Sequence, residues 1–248
     1  MMKHQDKVTV AVCDWDGRID KITNDLLSSP FNRVVLCIED RHAKWRKQNV
    51  IEAVDTLKNA GFEVIADPWA VGGLFAGESY GNKETTALEE WLGVIAKTNA
   101  DAILWDEPHF IEWLDVHLDL ASSITPHIKN VLALQPERDI TPWVKRDDVS
   151  EISISTYLFP PRITRITQEE VNTQIQQWLP LMEKNGSAWV QNWGLPEGTE
   201  WLPSYLISQW KKFNVPVNIW AWEAFETVSE VRPKNYKKVW KSTLAALS

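Results

Sequence analysis

Cysteine is scarce in this sequence. It occurs only at positions 13 and 37, each time inside an apolar segment that we predict to be a β-strand. Two cysteines cannot form the disulfide network on which small secreted proteins depend, so we interpret Cys13 and Cys37 as free core thiols in a reducing compartment. A structural zinc site would need more cysteine or histidine nearby, and we predict no metal site.

Long apolar runs are also lacking. No segment approaches the roughly 20 apolar residues of a membrane-spanning helix, and residues 1–6 are polar, without the hydrophobic region of a signal peptide. We therefore expect a cytoplasmic protein with no membrane partner. Positive charge is in deficit, since 26 Lys and Arg stand against 34 Asp and Glu, for a net charge of −8. This balance argues against a nucleic-acid partner, and nothing in the sequence specifies an oligomeric state.

The 248 residues are otherwise typical of a folded globular protein, with 44% hydrophobic and 24% charged residues. The unusual feature is tryptophan, which occurs 15 times against 4 tyrosines and 7 phenylalanines. A protein this rich in tryptophan either packs the rings into its core or presents flat apolar surfaces to a ligand.

Strand-like and helix-like patterns alternate along the whole chain. Eight units follow one another, from a first strand over Val8–Asp14 to an eighth over Val215–Trp222 and a closing helix over Tyr236–Leu247. Thr167 and Glu170 have the spacing of a capping box at the start of a helix that we expect Gly186 to end. Repeated strand–helix units imply parallel strands. Eight units in about 250 residues predict one domain, residues 1–248, folded as a single (β/α)8 barrel.

An open, doubly wound sheet is the alternative architecture. It is disfavoured because no strand is followed by the Gly-x-Gly-x-x-Gly turn of dinucleotide-binding sheets. Gly72, Gly73 and Gly77 lie instead in a long segment after the third strand. We accordingly predict no cofactor.

Acids, amides and aromatic rings follow the predicted strands at their carboxyl ends, which in a barrel face the active site. Hydroxyl groups of sugars pair with carboxylates and amides, and the C–H face of a sugar ring packs on an indole, so we predict a small-molecule or oligosaccharide substrate. An acid after a strand can also merely cap the next helix. The predicted site residues at the strand ends are Asp14, Asp16, Glu39, Asp67, Trp69, Asp106, Glu107, His109, Gln135, Tyr157, Gln191, Trp193, Trp220, Trp222 and Glu223.

Strand parity indicates which of these side chains enter the barrel. In strand eight, Asn218, Trp220 and Trp222 share one face, and the apolar residues between them suit contact with the helices. The same count directs Trp189, Gln191 and Trp193 inward from strand seven, and Ser153, Ser155 and Tyr157 inward from strand six.

The segment from Trp69 to Lys83 is long for a strand-to-helix connection and contains several glycines and aromatic residues. Connections longer than about 12 residues are usually functional or disordered, and its apolar content argues against disorder. We interpret it as a lid or wall of the pocket, with Glu78 as a ligand contact. A packing loop is the alternative.

The segment Trp105-Asp106-Glu107-Pro108, after strand four, resembles the Asn-Glu-Pro of retaining glycoside hydrolases built on (β/α)8 barrels. The resemblance implies that Glu107 is the catalytic acid/base and that Trp222 forms the floor of a sugar subsite. In that family the nucleophile is a glutamate at the end of strand seven, where this chain has Gln191.

The second carboxylate must then come from elsewhere. Asp14 is our leading candidate, Asp67 and Glu223 are others, and a barrel that binds sugar without cleaving it remains open. Pro108 disfavours a helical backbone at Glu107, while Asp106 beside it favours the neutral, proton-donating form.

Two other classes of function fit parts of the pattern. Asp106, Glu107 and His109, with Asp14 or Glu39, could hold a divalent cation, as in metal-dependent barrel hydrolases or isomerases. A non-catalytic barrel that serves as a binding or scaffold protein is the other alternative.

Overall fold

The computed structural model describes residues 7–12, 15, 17–38, 47–68, 82–106, 114–156, 165–182, 186–192, 195, 197–220 and 236–248. Eight parallel strands pair in sequence order, and β1 also pairs with β8, so the sheet closes. The chain is thus a (β/α)8 barrel, as predicted. The strands are β1 (Val8–Val12), β2 (Arg33–Cys37), β3 (Glu63–Asp67), β4 (Ala102–Asp106), β5 (Lys129–Leu134), β6 (Val149–Ser155), β7 (Gly186–Gln191) and β8 (Val217–Trp220).

Helices connect the strands on the outside. Within the described residues they are α1 (Ile19–Leu27), α2 (Lys47–Asn59), α3 (Asn82–Ile95), α4 (Leu114–Ile124), the short α5 (Thr141–Val144), α6 (Gln168–Trp178), α7 (Leu202–Lys212) and α8 (Tyr236–Leu247). None of these described helices is long and apolar enough to cross a membrane.

The predicted capping box at α6 is confirmed. The Thr167 hydroxyl accepts a hydrogen bond from the Glu170 backbone N–H at 3.2 Å, and the Glu170 carboxylate accepts one from the Thr167 N–H at 2.7 Å. The prediction that Gly186 ends the following helix is wrong. A 3-10 turn over Leu179–Met182 ends it, and Gly186 is the first residue of β7. A Cβ at Gly186 would lie 2.7 Å from the Met182 Cα, so glycine serves a close approach of two backbones rather than a helix end.

Residues of each strand alternate between two apolar clusters. Residues such as Val34, Ile103 and Ile219 pack under the helices, whereas Val35, Leu104 and Trp220 belong to a separate cluster inside the barrel. This alternation confirms the inward direction predicted for Trp189 and Trp220, and the hydrogen bond between Trp189 and Ser153 confirms it for Ser153 of β6. The remaining residues of these predicted faces, Tyr157, Trp193 and Trp222, lie outside the described residues. Cys37 also lies in the inner cluster, where it is buried.

The amino-terminal end of the barrel is closed by a buried ion pair. Arg33 of β2 donates two hydrogen bonds to Glu151 of β6, at 2.6 and 2.9 Å. Thr9, Ser187 and Asn218 complete the network with bonds of 2.6 to 3.3 Å. Burial by itself lowers the pKa of Arg33, but attraction to Glu151 and the hydrogen bonds with it outweigh burial and raise that pKa. The Arg33 guanidinium is therefore charged in the folded barrel.

Replacing Glu151 with Gln leaves the buried Arg33 charge facing only the partly exposed Glu63 carboxylate, 3.8 Å away, among its described partners, and we expect a loss of up to about 3–5 kcal/mol in the free energy of unfolding. Urea denaturation measures it. The matched control is Asp25→Asn, which breaks the exposed Lys21–Asp25 pair and should cost under about 1 kcal/mol. Equal losses in the two variants would contradict a structural role for the buried pair.

Two glycine-to-alanine substitutions should act in opposite directions. Gly186→Ala forces a Cβ against the Met182 backbone and should destabilise the protein by about 1–3 kcal/mol. Gly93→Ala, in α3 with open space around its Cα, should stabilise it by about 0.5–1 kcal/mol. Thermal unfolding compares them, and a stabilised Gly186→Ala variant would refute the close-approach explanation.

Candidate functional site

Polar side chains gather at the carboxyl ends of the strands, on the inner face. Asp67, Asp106, Ser155, Gln191 and Trp220 are the last residues of β3, β4, β6, β7 and β8. Each lies two positions after an inward-facing residue of its own strand, so each points toward the barrel axis. Gln135, just beyond β5, continues the same alternation. We call these six residues the mouth ring.

One sector of the mouth ring is acidic. Asp67 and Asp106 are both buried, with 1% and 9% exposure, and they lie on neighbouring strands. The register places Ala66 beside Ile103, so Asp106 lies two residues further toward the mouth than Asp67. Strand spacing and rise then separate their Cα atoms by about 8 Å. Two carboxylates at this spacing can face one bound molecule from the same side.

Another sector is uncharged. Ser155 pairs in register with Trp189, and Gln191 pairs with Trp220, which places Gln191 two residues further toward the mouth than Ser155. These two side chains are 3% and 2% exposed. The Ser155 Oγ and Gln191 Oε1 atoms are buried without a hydrogen-bond partner in the described part of the chain.

Trp189 and Trp220 form the floor between these sectors. Their rings meet edge to face, with centroids 5.5 Å apart at 74°. The Trp189 indole N–H donates to the Ser153 hydroxyl at 2.8 Å, and that hydroxyl donates to the Leu132 carbonyl at 2.8 Å. The lumen is therefore filled below the mouth, and Trp189 separates the mouth from the Arg33–Glu151 pair.

Strand β4, which ends in Asp106, is fixed from the helix side by Trp105. The Trp105 indole N–H donates to the Asn130 side chain at 2.9 Å, and its ring stacks on His117 of α4 at 5.9 Å. Burial lowers the pKa of His117, so the imidazole is neutral at pH 7. These contacts hold the end of β4 in place beneath the mouth.

The structure describes five of the predicted site residues and brings all five into the mouth ring: Asp67, Asp106, Gln135, Gln191 and Trp220. The others lie outside the described residues; they are Asp14, Asp16, Glu39, Trp69, Glu78, Glu107, His109, Tyr157, Trp193, Trp222 and Glu223. Most of the long segment from Trp69 to Lys83 also falls there. Of the residues proposed for a divalent cation, only Asp106 is described.

Sequence reasoning overlooked Ser155 as a site residue. The parity count had placed it on the inner face, and its position as the last residue of β6 was the signal that could have selected it. Trp15, in the Asp14-Trp15-Asp16 segment, is buried and donates its indole N–H to the Cys37 carbonyl at 2.7 Å. It therefore packs in the core, between the ends of β1 and β2.

Several solved structures share this fold across nearly the whole chain. Cel5A of Thermotoga maritima, an endoglucanase solved in complex with mannotriose, has a TM-score of 0.63 at 11% identity, covering 99% of this chain and 98% of its own. A second glycoside hydrolase has a TM-score of 0.66 at 12% identity, covering 97% and 99%. A D-psicose 3-epimerase solved with D-fructose has a TM-score of 0.55 at 12% identity, covering 97% and 96%.

At these identities the likeness is one of fold. No protein-family model and no curated protein sequence matches the chain. The fold is thus shared with glycoside hydrolases and with an epimerase, and a shared fold does not by itself imply a shared function.

The lowered pKa of His117 makes the stability of the protein dependent on pH. The unfolded chain binds a proton at His117 more readily than the folded one, so stability should fall as the pH drops below about 6.5. His117→Gln should show a smaller loss of unfolding free energy between pH 7 and pH 5 than the wild type. Exposed His127→Gln controls for the loss of a histidine. An unchanged pH dependence in His117→Gln would contradict this origin.

Proposed function

We propose that the protein is a glycoside hydrolase that cleaves a glycosidic bond with a pair of carboxylates at the carboxyl-terminal rim of its barrel. The mouth ring carries this proposal, because it combines carboxylates, amides, a hydroxyl and an indole on the inner face at one end of the barrel. Carboxylates and amides suit sugar hydroxyls, and the indole of Trp220 suits the C–H face of a sugar ring. The mannotriose bound by Cel5A is an example of such a ligand on the same fold.

Glu107 is the proposed general acid. It follows Asp106, whose carboxyl is 9% exposed at the end of β4, and it precedes Pro108, which disfavours a helical backbone at Glu107. A neighbouring carboxylate and limited access to water both favour the neutral form of a carboxyl group. A proton donor to the leaving glycosidic oxygen needs that form at neutral pH.

The partner carboxylate is proposed to be Asp14, after β1. The inward-facing residue at the end of β7 is Gln191, an amide, which can neither attack the anomeric carbon nor take a proton from water. Asp67, already in the mouth ring, and Glu223 are the other candidates. Carboxyl groups about 5–5.5 Å apart would give retention of configuration, and groups about 6.5–9.5 Å apart would give inversion.

Further ligand contacts are proposed from residues beyond the described strand ends. They are Asp16, Glu39, Trp69, Glu78, His109, Tyr157, Trp193 and Trp222, together with Gln135 and Gln191 of the mouth ring. We further propose that residues 1–248 form one domain, in which these residues surround a single mouth.

Glu107→Gln keeps the shape of the side chain and removes its titrating proton. We expect turnover to fall by roughly two to four orders of magnitude, with ligand affinity largely retained. The assay first screens aryl glycosides of different sugars and both anomers, and then compares the variant with wild type on a glycoside with a poor leaving group. Glu89→Gln, an exposed glutamate of α3, is the matched control.

Near wild-type turnover of Glu107→Gln on that substrate would remove Glu107 from the role of acid. Binding of oligosaccharides without hydrolysis of any glycoside would favour the non-catalytic barrel. Activity abolished by EDTA and restored by Mg²⁺ or Mn²⁺ would favour the metal-dependent alternative.

A further inference from the structure

On β6 and β7, two buried side-chain oxygens at the mouth lack the hydrogen bonds that such atoms normally have. They are the Ser155 Oγ at the end of β6 and the Gln191 Oε1 at the end of β7, and neither has a partner among the residues that the structure describes. More than nine in ten buried polar groups in folded proteins are paired. An unpaired buried group destabilises the folded state, so two on adjacent strands of one site call for a functional explanation.

The surroundings of the pair differ from those of the inward-facing serines deeper in the same two strands. Ser153, two residues before Ser155, has its hydroxyl engaged by both Trp189 and Leu132. Ser187, on β7 near the opposite end of the lumen, is bonded to Glu151 and Asn218. Unsatisfied side-chain oxygens on β6 and β7 thus occur at the mouth, while the serines deeper in the same strands are satisfied.

The pair also lies in the uncharged sector, beside the indole of Trp220. Gln191 and Trp220 are direct neighbours in the β7–β8 register, and Ser155 is offset from Gln191 by two residues, about 8 Å between Cα atoms. The acidic sector of Asp67 and Asp106 belongs to β3 and β4, further round the barrel. One part of the mouth therefore offers neutral hydrogen-bonding groups and a flat ring, and another offers carboxylates.

We propose that Ser155 and Gln191 form a preorganised subsite for the hydroxyl groups of one uncharged sugar ring, whose C–H face lies on Trp220. The Gln191 Oε1 accepts a hydrogen bond from one ligand hydroxyl, and the Ser155 Oγ accepts from or donates to another. An acceptor oxygen without an accompanying cation disfavours anionic ligands such as phosphates or uronic acids. This inference rests on the proposed function for its ligand class. It adds that the uncharged sector binds the sugar ring.

The first test uses the free protein and needs no ligand. If the two oxygens are kept unpaired for a ligand, then Gln191→Met and Ser155→Ala each remove a destabilising group, and each should raise the Tm by about 2–4 °C. Ser153→Ala is the matched control, because its hydroxyl is fully engaged and its loss should lower the Tm. Circular dichroism at 20 °C verifies that each variant folds.

The second test measures binding of mannotriose, cellotriose and xylotriose by tryptophan fluorescence, with glucuronic acid as the anionic probe. For the trisaccharide that wild type binds best, affinity should fall roughly tenfold or more in both variants. Glucuronic acid should bind more weakly than glucose. Glu107→Gln should bind that trisaccharide like wild type, so loss of catalysis and loss of the subsite are separate observations.

Several results would overturn the inference. A lower Tm in both Gln191→Met and Ser155→Ala would mean that the two oxygens are satisfied inside the protein, for example by buried water. A higher Tm with unchanged trisaccharide affinity would mean that the ligand does not touch them. Failure of wild type to bind any of the three trisaccharides would reject the ligand class, whereas binding lost in the variants but no hydrolysis by wild type would reject only the proposed catalysis.

Discussion

The ion pair of Arg33 and Glu151 crosses the lumen between β2 and β6, strands on opposite sides of an eight-stranded ring. A charge buried in a protein interior must be matched by an opposite charge and by hydrogen bonds, or the fold loses stability. Here Thr9, Ser187 and Asn218 supply those bonds from three further strands. The network can form only when the barrel is closed, so it couples the ends of five strands and fixes the frame on which the mouth is built.

The lumen is layered above that pair. Small inward residues such as Ala11, Ala102 and Ala133 leave room for the large ring of Trp189, which fills the middle of the barrel. Its hydrogen bond to Ser153 fixes the ring, and Trp220 packs edge-on against it. Because the middle is filled, the amino-terminal network is separated from the mouth.

The two ends of the lumen differ in whether their buried polar side chains are hydrogen-bonded. At the amino-terminal end Arg33 and Glu151 share two hydrogen bonds and make further ones to neighbouring side chains, which is the pattern of a structural network. At the mouth, Ser155 and Gln191 keep oxygens unpaired within the described chain. This contrast agrees with the general division of (β/α)8 barrels, in which one face provides stability and the other provides the site.

The barrel and the direction of many strand side chains could be predicted from the local sequence. Eight alternating units predicted the barrel, and the two-residue period of the strands correctly directed Trp189, Gln191 and Trp220 inward, because side-chain direction in a strand depends only on position within it. The same count put Ser155 inside without revealing that its hydroxyl lacks a partner.

Contacts between distant parts of the chain could not be predicted from the local sequence. Glu151 contacts Arg33 across 118 residues of sequence, and Gly186, which the sequence predicts to end a helix, begins β7 against the Met182 backbone. The sequence by itself determined the type and order of the elements and the face on which each strand residue lies. Only the tertiary structure decided which buried polar groups find partners, because closure of the barrel and the stagger of its strands set which residues from separate strands meet.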